Sequence, residues 1–201
     1  MKLKTILQEL KQHVPFTLVG VLTGILLIFL FYKIPSSSAY TAFYVLHPIH
    51  VILSALVTAS MYKKYATKVN PFILLLIGYV GSIGIATLSD SIIPYLGELL
   101  LGLPNAGIHL GFIEMWWLVN PLAILGVAIA YFNPSTKFPH AGHVLLSTWA
   151  SLFHILMALG GLISFKLVLI IFVFLFLAVW LPCCLSDIVF PLLFVRTKEN
   201  G

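Results

Sequence analysis

A chain of 201 residues has the length of one or two domains, yet 61% of it is hydrophobic and only 8% is charged. A soluble domain carries about 25% charged residues, so this chain cannot cover a water-facing surface, and its mean hydropathy of +1.09 points to lipid as solvent. A soluble enzyme, a disordered scaffold and a nucleic-acid binder are thereby excluded; the net charge of +5 comes from basic residues scattered at the ends of apolar runs.

Residues 1–14 form a basic amphipathic lead-in, with Leu3, Ile6, Leu7 and Leu10 on one face. It is not expected to be a cleaved signal peptide. The apolar run behind it is long enough to stay in the membrane, and no small-residue cleavage pattern follows. A membrane-crossing helix needs about 20 mostly apolar residues. Six runs qualify: residues 16–32, 41–62, 71–88, 112–132, 144–163 and 167–185. The third and sixth are followed by shorter apolar stretches, 92–103 and 188–195. These read as the far ends of long Pro-kinked helices, or as half-helices after a break. Asn120-Pro121 marks a further break near the middle of the fourth run. The linkers are short and rich in turn formers, leaving no room for a soluble domain. The expected fold is all-α: a polytopic integral membrane protein of about six transmembrane helices.

Basic residues set the orientation. With six crossings, Lys2, Lys4, Lys11, Lys63, Lys64, Lys68, Lys137, Arg196 and Lys198 fall on one side, and only Lys33 and Lys166 on the other. Both termini are expected in the cytoplasm, with the chain in the plasma or inner membrane. Tyr40, Trp116 and Trp117 read as anchors at the membrane surface.

The chain also repeats itself. His47-Pro-Ile-His50-Val-Ile-Leu-Ser54 matches His140-Ala-Gly-His143-Val-Leu-Leu-Ser147 without a gap, and a hydroxyl residue closes each segment, Thr58 and Ser151. Downstream, Leu88-Ser89-Asp90 with Pro94 and Leu96 matches Leu185-Ser186-Asp187 with Pro191 and Leu193. Two collinear matches that keep rare polar residues define two units, residues 15–104 and 105–201. A unit of three crossings ends on the side opposite its start, so the second unit is expected upside down. Inverted repeats of this kind recur in transporters, with sites near the midplane where the halves meet.

Ionisable residues within membrane segments are costly and mark function. His47, His50 and Asp90 make a two-histidine, one-carboxylate set, and His140, His143 and Asp187 repeat it. Histidines three apart share a helix face, and imidazole with carboxylate suits a divalent ion of the zinc, iron or manganese class. Two bland readings stand beside this. The histidines could face water at the membrane surface, and each Ser-Asp pair could cap a half-helix. Glu98, His109 and Glu114 lie between the third and fourth runs, as further ligands or an entry funnel. His154 sits mid-helix, a relay or a packed histidine. Cys183 and Cys184 are adjacent, with soft metal ligation as the alternative to plain packing.

Three functions follow as expectations. The first is a transporter or channel for a divalent transition metal, or a proton-coupled carrier. The second is an intramembrane metal-dependent enzyme, a lipid hydrolase or oxidase, drawing on His47, His50, Asp90, Glu98, His109 and Glu114. A haem carrier ranks third, because bis-imidazole ligation takes one histidine from each of two facing helices. The expected partners are the bilayer and a small ion or lipid-soluble substrate, with room for a homo-oligomer.

Overall fold

The computed structural model describes residues 2–135, 137–161 and 163–195; side chains are described for all of these except 2–6, 8–10, 12, 13, 137–140, 184, 187 and 188. Among the described residues every regular element is a helix, with no strand. The lead-in and the first apolar run form one helix, α1 (Lys2–Phe31). It is followed by α2 (Ser36–Tyr65), α3 (Pro71–Thr87) and α4 (Ile93–Leu100). A short α5 (Gly111–Glu114) precedes α6 (Trp116–Phe132), α7 (Lys137–Leu159), α8 (Phe165–Cys184) and α9 (Phe190–Leu193).

Among the described residues, five helical stretches are long and apolar enough to cross a membrane: Val14–Phe31, Ser36–Tyr65, Pro71–Leu100, Ala141–Leu159 and Phe165–Cys183. The fourth apolar run is shorter than its composition suggests. Met115 leaves helical geometry, with φ −121° and ψ 43°, and splits α5 from α6. The 17 residues of α6 rise about 26 Å, against a hydrocarbon core of about 30 Å. The break therefore lies at Met115, while Asn120-Pro121 sits inside a continuous helix. Asn120 bridges the hydroxyl of Tyr79 (3.0 Å) and the carbonyl of Phe112 (3.2 Å).

The two L-S-D segments neither break nor cap a helix. Leu88–Ile92 and Leu185–Val189 are each one π-helical turn. Ile93 N–H closes on the carbonyl of Leu88, five residues back. A proline two positions later lacks an N–H, and the widened turn absorbs that loss while the chain runs on. The Pro71–Leu100 stretch is thus continuous, with its Ser-Asp pair at the wide turn.

At the centre α2 packs along α7. On one flank α3 and α6 cover α2; on the other α1 and α8 cover α7. Close approach is made with small residues, as in other membrane bundles. A Cβ at Gly126 would lie 2.4 Å from the carbonyl oxygen of Ile52, so α6 can lie against the α2 backbone only with glycine there. The outer helices turn large apolar side chains outward, among them Leu22, Leu30, Phe72, Leu76, Ile124 and Leu169. An apolar exterior of this extent suits a membrane-spanning protein better than a water-facing one.

Candidate metal centre

The inner cluster starts on α2. His47 and His50 lie three residues apart on one face, both buried. Phe43, one turn earlier, stacks on the His47 ring with centroids 5.2 Å apart and planes at 17°. Gly111, at the start of α5, closes the other side of that ring: a Cβ there would lie 2.4 Å from His47 Cδ2 and 2.5 Å from Nε2.

The π turn presents Asp90 to this pair. Its Oδ2 lies 2.9 Å from His47 Nδ1 and 2.6 Å from His50 Nδ1. Its Oδ1 accepts from the hydroxyls of Ser89 and Ser147, each at 2.7 Å. Ser151, one turn beyond Ser147 on α7, donates to the Ser89 carbonyl at 2.9 Å and ties α7 to the π turn. Asp90 is fully buried and accepts four hydrogen bonds, as a buried carboxylate must to offset lost hydration. A carboxylate only accepts, so both imidazoles carry their proton on Nδ1 in this arrangement.

One ligand atom each from His47, His50 and Asp90 lies within 4.8 Å of the other two, a spacing that can hold a metal ion. The donor set, two imidazoles and a carboxylate, suits a borderline divalent transition metal. An imidazole binds a metal only through an unprotonated nitrogen, so a bound ion would displace a proton from any ring nitrogen that carries one.

Of the matching second set, His143 is described. It is buried, and its ring stands nearly perpendicular to that of His50, with centroids 5.8 Å apart. His140 and Asp187 fall outside the residues whose side chains are described, and so does Cys184. Ser186 is placed: its hydroxyl meets Thr58 Oγ1 at 3.2 Å and the Gly81 carbonyl at 3.3 Å. Each H-x-x-H helix thus touches the other segment's Ser-Asp turn, α7 through Ser151 and α2 through Thr58. Cys183 is buried against Val144 and Val179.

The remaining predicted residues gather in a second, outer cluster. His154 Nδ1 lies 2.7 Å from Glu98 Oε1, and both side chains are buried. The Gly107 amide donates to Glu98 Oε2 at 3.2 Å. His109 and Glu114 pair more loosely, at 3.4 Å, and are partly exposed. Burial raises the Glu114 carboxyl, but the Tyr44 hydroxyl, the Leu110 amide and the His109 ring beside it outweigh burial and hold it below its ordinary value. Phe43 separates the two clusters, stacked on His47 and edge-on to His154 at 5.4 Å.

Sequence reasoning singles out His47, His50 and Asp90, but not Phe43 or Gly111. Phe43 is signalled only by its position four residues before His47, and Gly111 by nothing local. No family model, curated protein or solved structure matches the chain. Its class rests on its own features: among the described residues, helices without strands, five of them long and apolar enough to cross a membrane, and a buried His/Asp cluster that could hold a metal ion.

Proposed function

We propose that the protein is a membrane carrier for a divalent transition-metal ion, with His47, His50 and Asp90 as the cargo site and protons exchanging against the cargo. The observation that carries this reading is the burial of all three side chains inside the bundle, with their ligand atoms within 4.8 Å of one another. A bare ion fits between such groups. A bulky lipid substrate does not, because Phe43 and Gly111 press on His47 and two serines occupy the far side of Asp90. Competition between the ion and the imidazole protons supplies a means of coupling.

The second half is read as an inverted copy of the first, with α6, α7 and α8 answering to α1, α2 and α3. The crosswise packing supports this: α1 lies on α7 as α6 lies on α2, and α1 on α8 as α6 on α3. In this reading α6 is the fourth of six crossings, His140, His143 and Asp187 form the partner set that takes over the same single cargo ion in turn, and both termini lie in the cytoplasm by the basic-residue bias. Rocking of one half against the other would open the sites in turn.

An intramembrane metalloenzyme is the second reading. It is favoured by the gathering of Glu98, His109, Glu114 and His154 within one aromatic ring of the inner cluster. The test is uptake of Zn²⁺, Mn²⁺ and Fe²⁺ into proteoliposomes carrying an internal metal dye. The carrier reading expects uptake of at least one ion by wild type, accompanied by a change in internal pH, and its loss in Asp90→Asn. Equal dye response in wild type, Asp90→Asn and empty liposomes would refute it.

A further inference from the structure

The outer cluster has a geometry of its own that the inner site does not use. His154 is buried with its Nδ1 held by Glu98, and its Nε2 has no hydrogen-bond partner. A buried ring nitrogen left without a partner costs about 1–3 kcal/mol, so such an atom calls for an explanation. The ring of His109 is a near neighbour of the His154 ring, with centroids 5.4 Å apart and planes at 67°. The His109 Nδ1 faces Glu114 Oε2 at 3.4 Å. Each imidazole is therefore backed through Nδ1 by a carboxylate, the pattern that fixes the tautomer of metal-binding histidines and leaves Nε2 as the ligand atom.

The spacing agrees. Zinc–imidazole bonds of about 2.0–2.1 Å put a ring centre about 3.2 Å from the ion, so two rings on one tetrahedral ion have centres about 5.2 Å apart. The observed separation is 5.4 Å. Charge agrees as well, since two carboxylates stand behind two neutral imidazoles and balance a divalent cation.

We propose that His109 and His154 form a second, outer binding site for a divalent transition-metal ion, ligated through both Nε2 atoms with Glu98 and Glu114 as orienting carboxylates. His109 lies in the loop that leads into α5 and is partly exposed, so this site faces the medium. Two protein ligands leave two positions for water or an exchangeable ligand. Glu98 also accepts from the Gly107 amide, which fixes the loop that carries His109. The outer site stands whether or not the inner cluster carries cargo.

The test is the number of Co²⁺ and Zn²⁺ ions bound per purified chain, by equilibrium titration with the visible spectrum of Co²⁺ as a second readout. Wild type is expected to bind two ions. His109→Ala should bind one and lose one set of Co²⁺ bands, as should His154→Gln; Glu98→Gln should weaken that ion about 10–100-fold. His109→Ala alters a partly exposed loop residue, so its folding does not hinge on a core change. Asp90→Asn should keep the outer ion and lose the inner one. One ion, lost in Asp90→Asn and kept in His109→Ala, would overturn the outer site and leave the inner reading intact. One ion, lost in His109→Ala and kept in Asp90→Asn, would support the outer site and overturn the inner reading. No ion bound at all would overturn both.

Discussion

His50 Nδ1 lies 2.6 Å from Asp90 Oδ2, although 40 residues and a helical turnaround separate them. The contact joins α2 to the π turn behind α3 in the interior of the bundle, and His47 reaches the same oxygen at 2.9 Å. Two imidazoles on one carboxylate oxygen, with two hydroxyls on the other, make Asp90 the hub of the buried cluster, and the proposed cation site rests on it.

The hydroxyl of Ser147 is the link from this hub to α7. Ser147→Ala removes a 2.7 Å hydrogen bond to a buried carboxylate. Interhelical hydrogen bonds in membrane proteins are worth about 0.6–2 kcal/mol, and those to charged groups lie at the upper end. The expected outcome is a loss of about 1–2 kcal/mol in denaturant unfolding in detergent, with cation affinity at the inner site lowered about tenfold. An unchanged unfolding midpoint together with unchanged affinity would remove Ser147 from the site.

Gly111 closes the site from the α5 side. Gly111→Ala places a methyl group 2.4 Å from His47 Cδ2, closer than any stable contact. Either the ring or the start of α5 must shift. Overpacking of this kind costs about 1–3 kcal/mol. Inner-site affinity should fall with it while the outer ion stays bound. Gly102→Ala is not a neutral control, because Gly102 has φ +62°; Gly84→Ala, where a Cβ meets nothing within 4 Å, is one.

Orientation is open to direct labelling. In a background with Cys183 and Cys184 replaced by serine, Lys68→Cys and Lys166→Cys place single thiols at exposed positions of opposite predicted side. A membrane-impermeant maleimide applied to intact cells should label Lys166→Cys and spare Lys68→Cys. Labelling of both, or the reverse pattern, would contradict six crossings with cytoplasmic termini.

The inner cluster is legible in the sequence because the background is so apolar. Among so few charges, His47, His50 and Asp90 stand out, and the three-residue spacing of the two histidines puts them on one helix face. The π turns are not legible. L-S-D-x-x-x-P has the residues of a helix start, and a one-residue slip in hydrogen bonding leaves no mark in composition. Ser147 is marked in the sequence by its place in the repeated H-x-x-H-V-[IL]-L-S segment. An aromatic and a glycine are ordinary in membrane helices, so Phe43 has only its spacing from His47, and Gly111 has nothing until α5 is seen against α2. His154 lies about three turns from His143 on α7, and the sequence does not show that this depth meets Glu98. The shortness of α6 was hidden for a related reason: the apolar run continues through Met115 although the helix does not.

The central claim is that His47, His50 and Asp90 hold a divalent ion, and the most direct measurement is metal content after equilibration with Zn²⁺, for wild type, His50→Ala and Asp90→Asn. Each variant should lose one ion per chain relative to wild type, with its helical content intact. Metal content equal to wild type in both variants would contradict the assignment.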